Sequence, residues 1–202
     1  MANRREQLES YMRRRLGEYR HAPESGEARA QLAMLRRGVG KKPGDLPELW
    51  GLLFAGMPEE FLSTSGEPTR EEWAVYTALT LYALHQQGSA ANEPGGCMHK
   101  ETQGLGAAAR QLIHNEEDAP RIARRMQMAA TANGMAEAAQ HLRGLVRLLR
   151  GGKIPLDYVQ LASDLYTFQF PDGAARVRLK WGQDFYRQNR QTEEERTEQT
   201  YA

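Results

Sequence analysis

Apolar residues recur at steps of three and four along most of the chain, a period that predicts helices rather than strands. In the first segment Leu8, Tyr11, Met12, Leu16 and Tyr19 form one stripe of an amphipathic helix. The polar stretch "HAPESGE" at residues 21–27 interrupts it. A second helix is expected from about Glu27 to Arg37, with Ala28, Leu32 and Leu35 inward and Gly38 where a C-cap glycine belongs. The segment "GVGKKPGD" at residues 38–45 is a loop by composition. Leu46, Leu49, Trp50 and Leu53 then restart the apolar period.

Thr69 and Glu72 have the spacing of a capping box. The segment behind them, "WAVYTALTLYALHQQ", is apolar almost all round, so other helices should surround it. "GSAANEPGGC" at residues 88–97 is a long break and the best boundary between two halves. Leu105, Ala109, Leu112 and Ile113 restart the helical stripe, and Pro120 suits a helix start, where its missing N–H costs nothing. Residues 121–153 supply two more helices, divided by "TANG" and closed by Gly151 and Gly152. Pro155 is expected to open a further helix, with Leu156, Val159 and Leu165 as its stripe. Residues 174–182 are ambiguous. Val177, Leu179 and Trp181 alternate like a strand, while Val177, Trp181 and Phe185 step by four. Helix is preferred, because no partner strand is evident. The expectation is an all-α protein of helical bundles, about eight helices, with no substantial sheet. It divides at 1–92 and 93–190, with an acidic tail at 191–202; one compact unit is also compatible.

Composition narrows the class. The chain has 202 residues, enough for a sizeable core. A single cysteine, Cys97, excludes an intramolecular disulfide and a multi-cysteine zinc site, and fits a reducing cytoplasm. No run of about 18 apolar residues exists, so no membrane span is expected. The charged N-terminus is not a secretory signal.

The formal net charge is only +1, but the charges are segregated. Residues 29–50 hold five basic and two acidic groups, whereas residues 51–72 hold five glutamates and one arginine. Residues 121–153 hold six arginines and one lysine against one carboxylate, Glu137. On a helix, Arg121, Arg124 and Arg125 share one face, away from Ile122, Met126 and Ala129. Arg143, Arg147 and Arg150 likewise avoid the stripe of Leu142, Leu145, Val146 and Leu149. Like charges at such spacing repel by a few tenths of a kcal/mol per pair, about 0.2–0.5, unless something compensates. An external polyanion such as a phosphate backbone would do so. So would carboxylates from residues 51–72 or the tail, and spacing alone leaves both open. In "LRRGVGKK" at residues 35–42, a helix dipole accounts for Arg36 and Arg37 but not for the loop lysines Lys41 and Lys42.

Other chemistry is thin. "GLGAAA" at residues 104–109 matches a dinucleotide fingerprint on paper, yet no strand precedes it. A tight helix start is the better reading, although free N–H groups there, with Lys100 nearby, could hold a phosphate. Cys97, His99 and the remaining histidines show no metal-ligand spacing, and Cys97 with His99 lacks an orienting third group. Asp157 and Asp164 read as a helix cap and a helix-face partner. No catalytic residue, metal or cofactor is expected.

Several segments together resemble a known family. They are the "LRRG" helix end with a P-x-L helix after it, a tryptophan-led apolar helix, and "MH" shortly before "LGAAARQL". "RIARRMQMAAT", "LRGLVRLLR", "IPLDYVQLASDLYTFQF" and a final W-G-x-D-F-Y follow in order, over roughly residues 28–187. The chain is similar to CasB, the small-subunit family of the type I-E CRISPR surveillance complex Cascade. The resemblance implies two helical bundles, no catalysis, and partnership with other Cascade subunits, a second copy of the chain, CRISPR RNA and target DNA including the displaced strand. It also implies that basic helix faces stabilise the R-loop, through Arg36, Arg37, Arg110, Arg121, Arg124, Arg125, Arg143 and Arg147. The charge pattern adds Lys41, Lys42, Lys100, Arg150 and Lys153. Few aromatics accompany these cations, so base stacking is expected to be minor. The alternative is a helical adaptor whose basic faces dock on acidic protein surfaces.

Overall fold

The computed structural model describes residues 3–21, 26–91 and 94–187. Nine α-helices appear among the described residues: α1 (Arg4–His21), α2 (Gly26–Arg37), α3 (Trp50–Phe54), α4 (Arg70–His85), α5 (Leu105–Arg110), α6 (Asp118–Ala130), α7 (Met135–Gly151), α8 (Tyr158–Phe168) and α9 (Pro171–Tyr186). Short 3₁₀ turns at Pro47–Leu49 and Glu59–Phe61 flank α3. The acidic tail at 191–202 lies outside the described residues, as do the two residues at the centre of the 92/93 boundary.

The all-round apolar segment is α4, and every residue from Ala74 to His85 is buried. Its start is fixed as the sequence implies. Glu72 N donates to Thr69 Oγ1 at 3.1 Å, and Thr69 N donates to Glu72 Oε2 at 2.7 Å. Around α4 pack α2, α7 and α8, with lighter contact from α1 and α3. The α1 stripe lies against α8, and polar ties hold the two in register. Arg5 Nε donates to Ser163 Oγ at 2.6 Å, and Ser163 Oγ donates to Glu9 at 2.8 Å. Arg4 pairs with Glu71 at 2.7 Å at the head of α4. On the other side α6 and α7 form a helical hairpin, and α9 packs on α5 and α8. Residues on both sides of position 93 contribute to one continuous apolar cluster.

Two expectations change. Pro155 does not begin a helix. Leu156 is instead extended: its N–H donates to the Met98 carbonyl at 3.1 Å, and its carbonyl accepts the Lys100 N–H at 3.3 Å. The helix begins at Tyr158, where Asp157 accepts the Gln160 N–H at 2.9 Å. A distant loop has taken the backbone groups that a first helical turn would have used. Gly38 also plays a different part. It lacks a left-handed φ, but a Cβ there would meet Tyr76 Oη at 2.7 Å and Leu49 at 2.8 Å. Its lack of a side chain lets the end of α2 lie directly on α4, where Tyr76 Oη donates to the Gly38 carbonyl at 2.8 Å. The ambiguous residues 174–182 are helical within α9, with Val177, Trp181 and Phe185 buried and Leu179 exposed.

Candidate nucleic-acid interface

A basic segment from the first half of the chain comes side by side with the basic faces of the α6–α7 hairpin. The end of α2 delivers Arg36 and Arg37, and the loop behind it carries Lys41 and Lys42, both exposed. In that loop Gly40 adopts a φ of 84°, a left-handed conformation suited to glycine. The position a Cβ would take at Gly40 lies 3.6 Å from Arg143 Nη1 on α7. One residue further along α7, Gly144 gives room to α6: its Cβ position lies 3.5 Å from Arg125 Nη1. The loop, α7 and α6 therefore form one track, in which Arg124 and Arg147 are also exposed.

Carboxylates satisfy part of this charge. Arg37 pairs with Glu48 at 3.1 Å, Lys42 with Glu67 at 2.6 Å, and Arg121 with Asp118 at 3.8 Å. All three arginine or lysine side chains are largely exposed, so each pair contributes little, about 0–1 kcal/mol. Among the described residues no carboxylate lies within ion-pair distance of Arg36, Lys41, Arg124, Arg125, Arg143 or Arg147. Arg36 is half-buried, and the loss of solvent pushes its pKa down. The buried Nε of Arg143 has no hydrogen-bond partner. A phosphate oxygen suits the solvent-facing guanidinium and ammonium groups of this track, because it supplies acceptors as well as charge.

The remaining candidates lie elsewhere. Arg110, at the end of α5, donates to the Phe185 carbonyl at 3.4 Å. Lys100 sits in the loop tied to Leu156, and Arg150 donates to Gln87 Oε1 at 2.8 Å. Lys153 is exposed beyond the end of α7, with a φ of 52°. The glycines of "GLGAAA" serve close packing. A Cβ on Gly106 would sit 2.3 Å from the Trp181 carbonyl of α9. Gln160 and Asp184 stand over Gly104. Cys97 Sγ faces the His99 carbonyl at 3.4 Å rather than its ring. Asp157 is the α8 cap, and Asp164 accepts Lys180 Nζ at 2.6 Å and Trp181 Nε1 at 2.8 Å. Burial pushes the Asp164 pKa up, and these two partners hold it back. Among the described residues no three His, Cys, Asp or Glu side chains gather as a metal site, and no helix is long and apolar enough to cross a membrane.

Periodicity missed one residue beside this track. It groups Trp50 with Leu46, Leu49 and Leu53, yet Trp50 is 52% exposed while Leu49 and Leu53 are buried. The 3₁₀ turn at Pro47–Leu49 is the reason. At three residues per turn Leu46 and Leu49 eclipse, and a residue four positions on falls about 120° away instead of about 40°. Pro47 at the turn's first position was the available signal.

The fold and the track define an all-α protein with a concentrated basic face. A family profile for the CRISPR-associated protein Cse2 matches residues 31–186. Among solved structures the chain is similar to CasB from Thermobifida fusca, with 34% identity, a TM-score of 0.75, and coverage of 90% of this chain and 98% of that one. It shares its fold with a Cse2-family CRISPR-associated protein from Thermus thermophilus, at 20% identity and a TM-score of 0.62, covering 92% and 99% of the two chains. It also shares it with M. ruber CasB, at 21% identity and a TM-score of 0.61, covering 90% and 94%. Comparison with curated protein sequences returns no match. The chain belongs to the Cse2 (CasB) family of CRISPR-associated proteins.

Proposed function

We propose that this chain is a non-catalytic small subunit of the RNA-guided Cascade complex, and that the loop after α2, α6 and α7 hold nucleic-acid backbone. Family membership supports the place in a CRISPR assembly. The observation that carries the nucleic-acid part is the convergence of Arg36, Lys41, Arg124, Arg125, Arg143 and Arg147, which have no carboxylate partners among the described residues. On this reading the partners are other Cascade subunits, a second copy of the chain, CRISPR RNA, and target DNA including its displaced strand, in the cytoplasm.

The mechanism is electrostatic. Guide–target pairing reads the sequence, and exchanging one duplex for another is nearly balanced, so backbone contacts tip the R-loop. Each cation on a phosphate releases counterions, which makes binding tolerant of sequence and sensitive to salt. The test replaces Arg121, Arg124 and Arg125 together with Glu. Gel shifts at matched salt, on the free protein and on the assembled complex with target DNA, should show affinity reduced at least about tenfold and a shallower log–log salt slope. Circular dichroism should be unchanged, because all three side chains are exposed. Unchanged affinity would remove these arginines from any DNA contact. The Arg37–Glu48 and Lys42–Glu67 pairs show that carboxylates can engage this face, which favours a protein-docking adaptor as the second reading. An adaptor's salt slope would vanish in the absence of a protein partner.

A further inference from the structure

The geometry points to Trp50 as a stacking platform for an unpaired base, placed at the edge of the cationic loop so that a single strand is held by its bases as well as its phosphates. This rests on the nucleic-acid reading above and adds to it a contact that the charge pattern does not contain.

Trp50 is the most exposed tryptophan. Trp181 is 1% exposed and Trp73 packs partly into the core. An indole more than half in water keeps a large apolar face that a base can cover. Its surroundings favour a nucleic acid. Leu49, the preceding residue, packs on Gly38, and Glu48, one before that, is held by Arg37 at 3.1 Å. Trp50 therefore stands beside the end of α2 and the start of the lysine loop. On the far side of the same loop, Gly40 abuts Arg143. An aromatic flanked by backbone-binding cations is the arrangement that sequence-tolerant single-strand binders use: phosphates lie on the cations and bases on the ring.

The loop beside Trp50 is held in place. Tyr76 Oη anchors the Gly38 carbonyl at 2.8 Å, Asp45 accepts the Lys42 N–H at 2.9 Å, and Pro43 is buried. Of the two carboxylates in the segment, Glu48 is paired with Arg37, and Asp45 is turned to the loop backbone while keeping its charge. Approach is open, because Trp50 is 52% exposed.

The test uses the full chain and a single-stranded oligothymidylate of about 20 nucleotides at low salt. Intrinsic tryptophan fluorescence should fall as the strand binds, because stacking on a base quenches the indole. Trp50→Leu should abolish that quenching and weaken binding about tenfold, whereas Trp50→Phe should retain most of the affinity. The salt slope should be the same in all three proteins, since stacking releases no counterions. Trp50→Leu that binds as tightly as the native chain, while the Arg121/Arg124/Arg125 reversal does not bind, would overturn the stacking role and leave the nucleic-acid reading standing. Normal strand binding by Trp50→Leu combined with loss of self-association or of assembly into the complex would assign the ring to a protein interface instead. A native chain that binds no oligonucleotide, free or assembled, would overturn both.

Discussion

Gly106 on α5 lies directly under the backbone of α9, with no room for a side chain. Nothing beside Gly106 in sequence says that the α9 backbone will pass over it. The structure places a Cβ on that residue 2.3 Å from the Trp181 carbonyl and 2.7 Å from the Phe185 amide. Both are backbone atoms within one helix, so neither can swing aside. Gly106→Ala should push α5 off α9 and cost about 1–3 kcal/mol, despite alanine's better helix propensity. Thermal unfolding checks it: for a chain of this size the midpoint should fall by about 2–4 °C per kcal/mol. Gly51→Ala, where a Cβ meets nothing within 4 Å, is the control and should not destabilise.

At the scale of elements, the apolar period located most of the helices, and local capping chemistry located their ends. The Thr69–Glu72 box is the clearest instance. Thr69 Oγ1 accepts the Glu72 N–H and also donates to the Phe61 carbonyl at 2.7 Å, so one hydroxyl starts α4 and anchors the segment before it. Thr69→Ala removes both bonds and should destabilise by about 0.5–2 kcal/mol, whereas Thr69→Ser should recover most of the loss. Urea unfolding measures the difference, and amide exchange should speed up first at Glu71 and Glu72, at the frayed start of α4. The period failed where an element's geometry departs from 3.6 residues per turn or where a distant segment claims the backbone. The 3₁₀ turn ahead of Trp50 is the first kind, and Leu156 paired with Met98 and Lys100 is the second. The track suffers from the same blindness. Each basic segment is visible in the sequence, but that the Gly40 loop meets Arg143, and Gly144 meets Arg125, is tertiary information.

Across the whole molecule, the two sides of position 93 meet at a buried imidazole. His85 ends α4 and has no exposed surface; its Nδ1 lies 2.9 Å from the Tyr158 hydroxyl at the start of α8. The Tyr158 hydroxyl also donates to the Leu81 carbonyl at 3.3 Å. Burial pushes the His85 pKa down from 6.5 to about 4, and the charge of Arg150 adds to this, against the backbone of Leu149 and Ile154. Burial also lowers His99, which lies in the loop bridged to Leu156. Above the unfolded value of 6.5 both states hold a neutral ring and the group contributes no pH dependence. Below it the unfolded chain gains a proton that the folded chain refuses, so stability falls with pH until about pH 4, where the folded ring also titrates. Between about pH 7.5 and about pH 5, His85 alone should account for a loss of about 2 kcal/mol. His99 acts in the same direction, and the raised carboxyl of Asp164 acts against it in more acidic solution. Because one apolar cluster joins both sides, the loss should appear as a single cooperative transition whose urea midpoint drops. In His85→Gln, which keeps a polar group toward Tyr158 but cannot titrate, the midpoint should depend less on pH over the same range. An unchanged pH dependence would place the acid sensitivity in groups other than this buried ring.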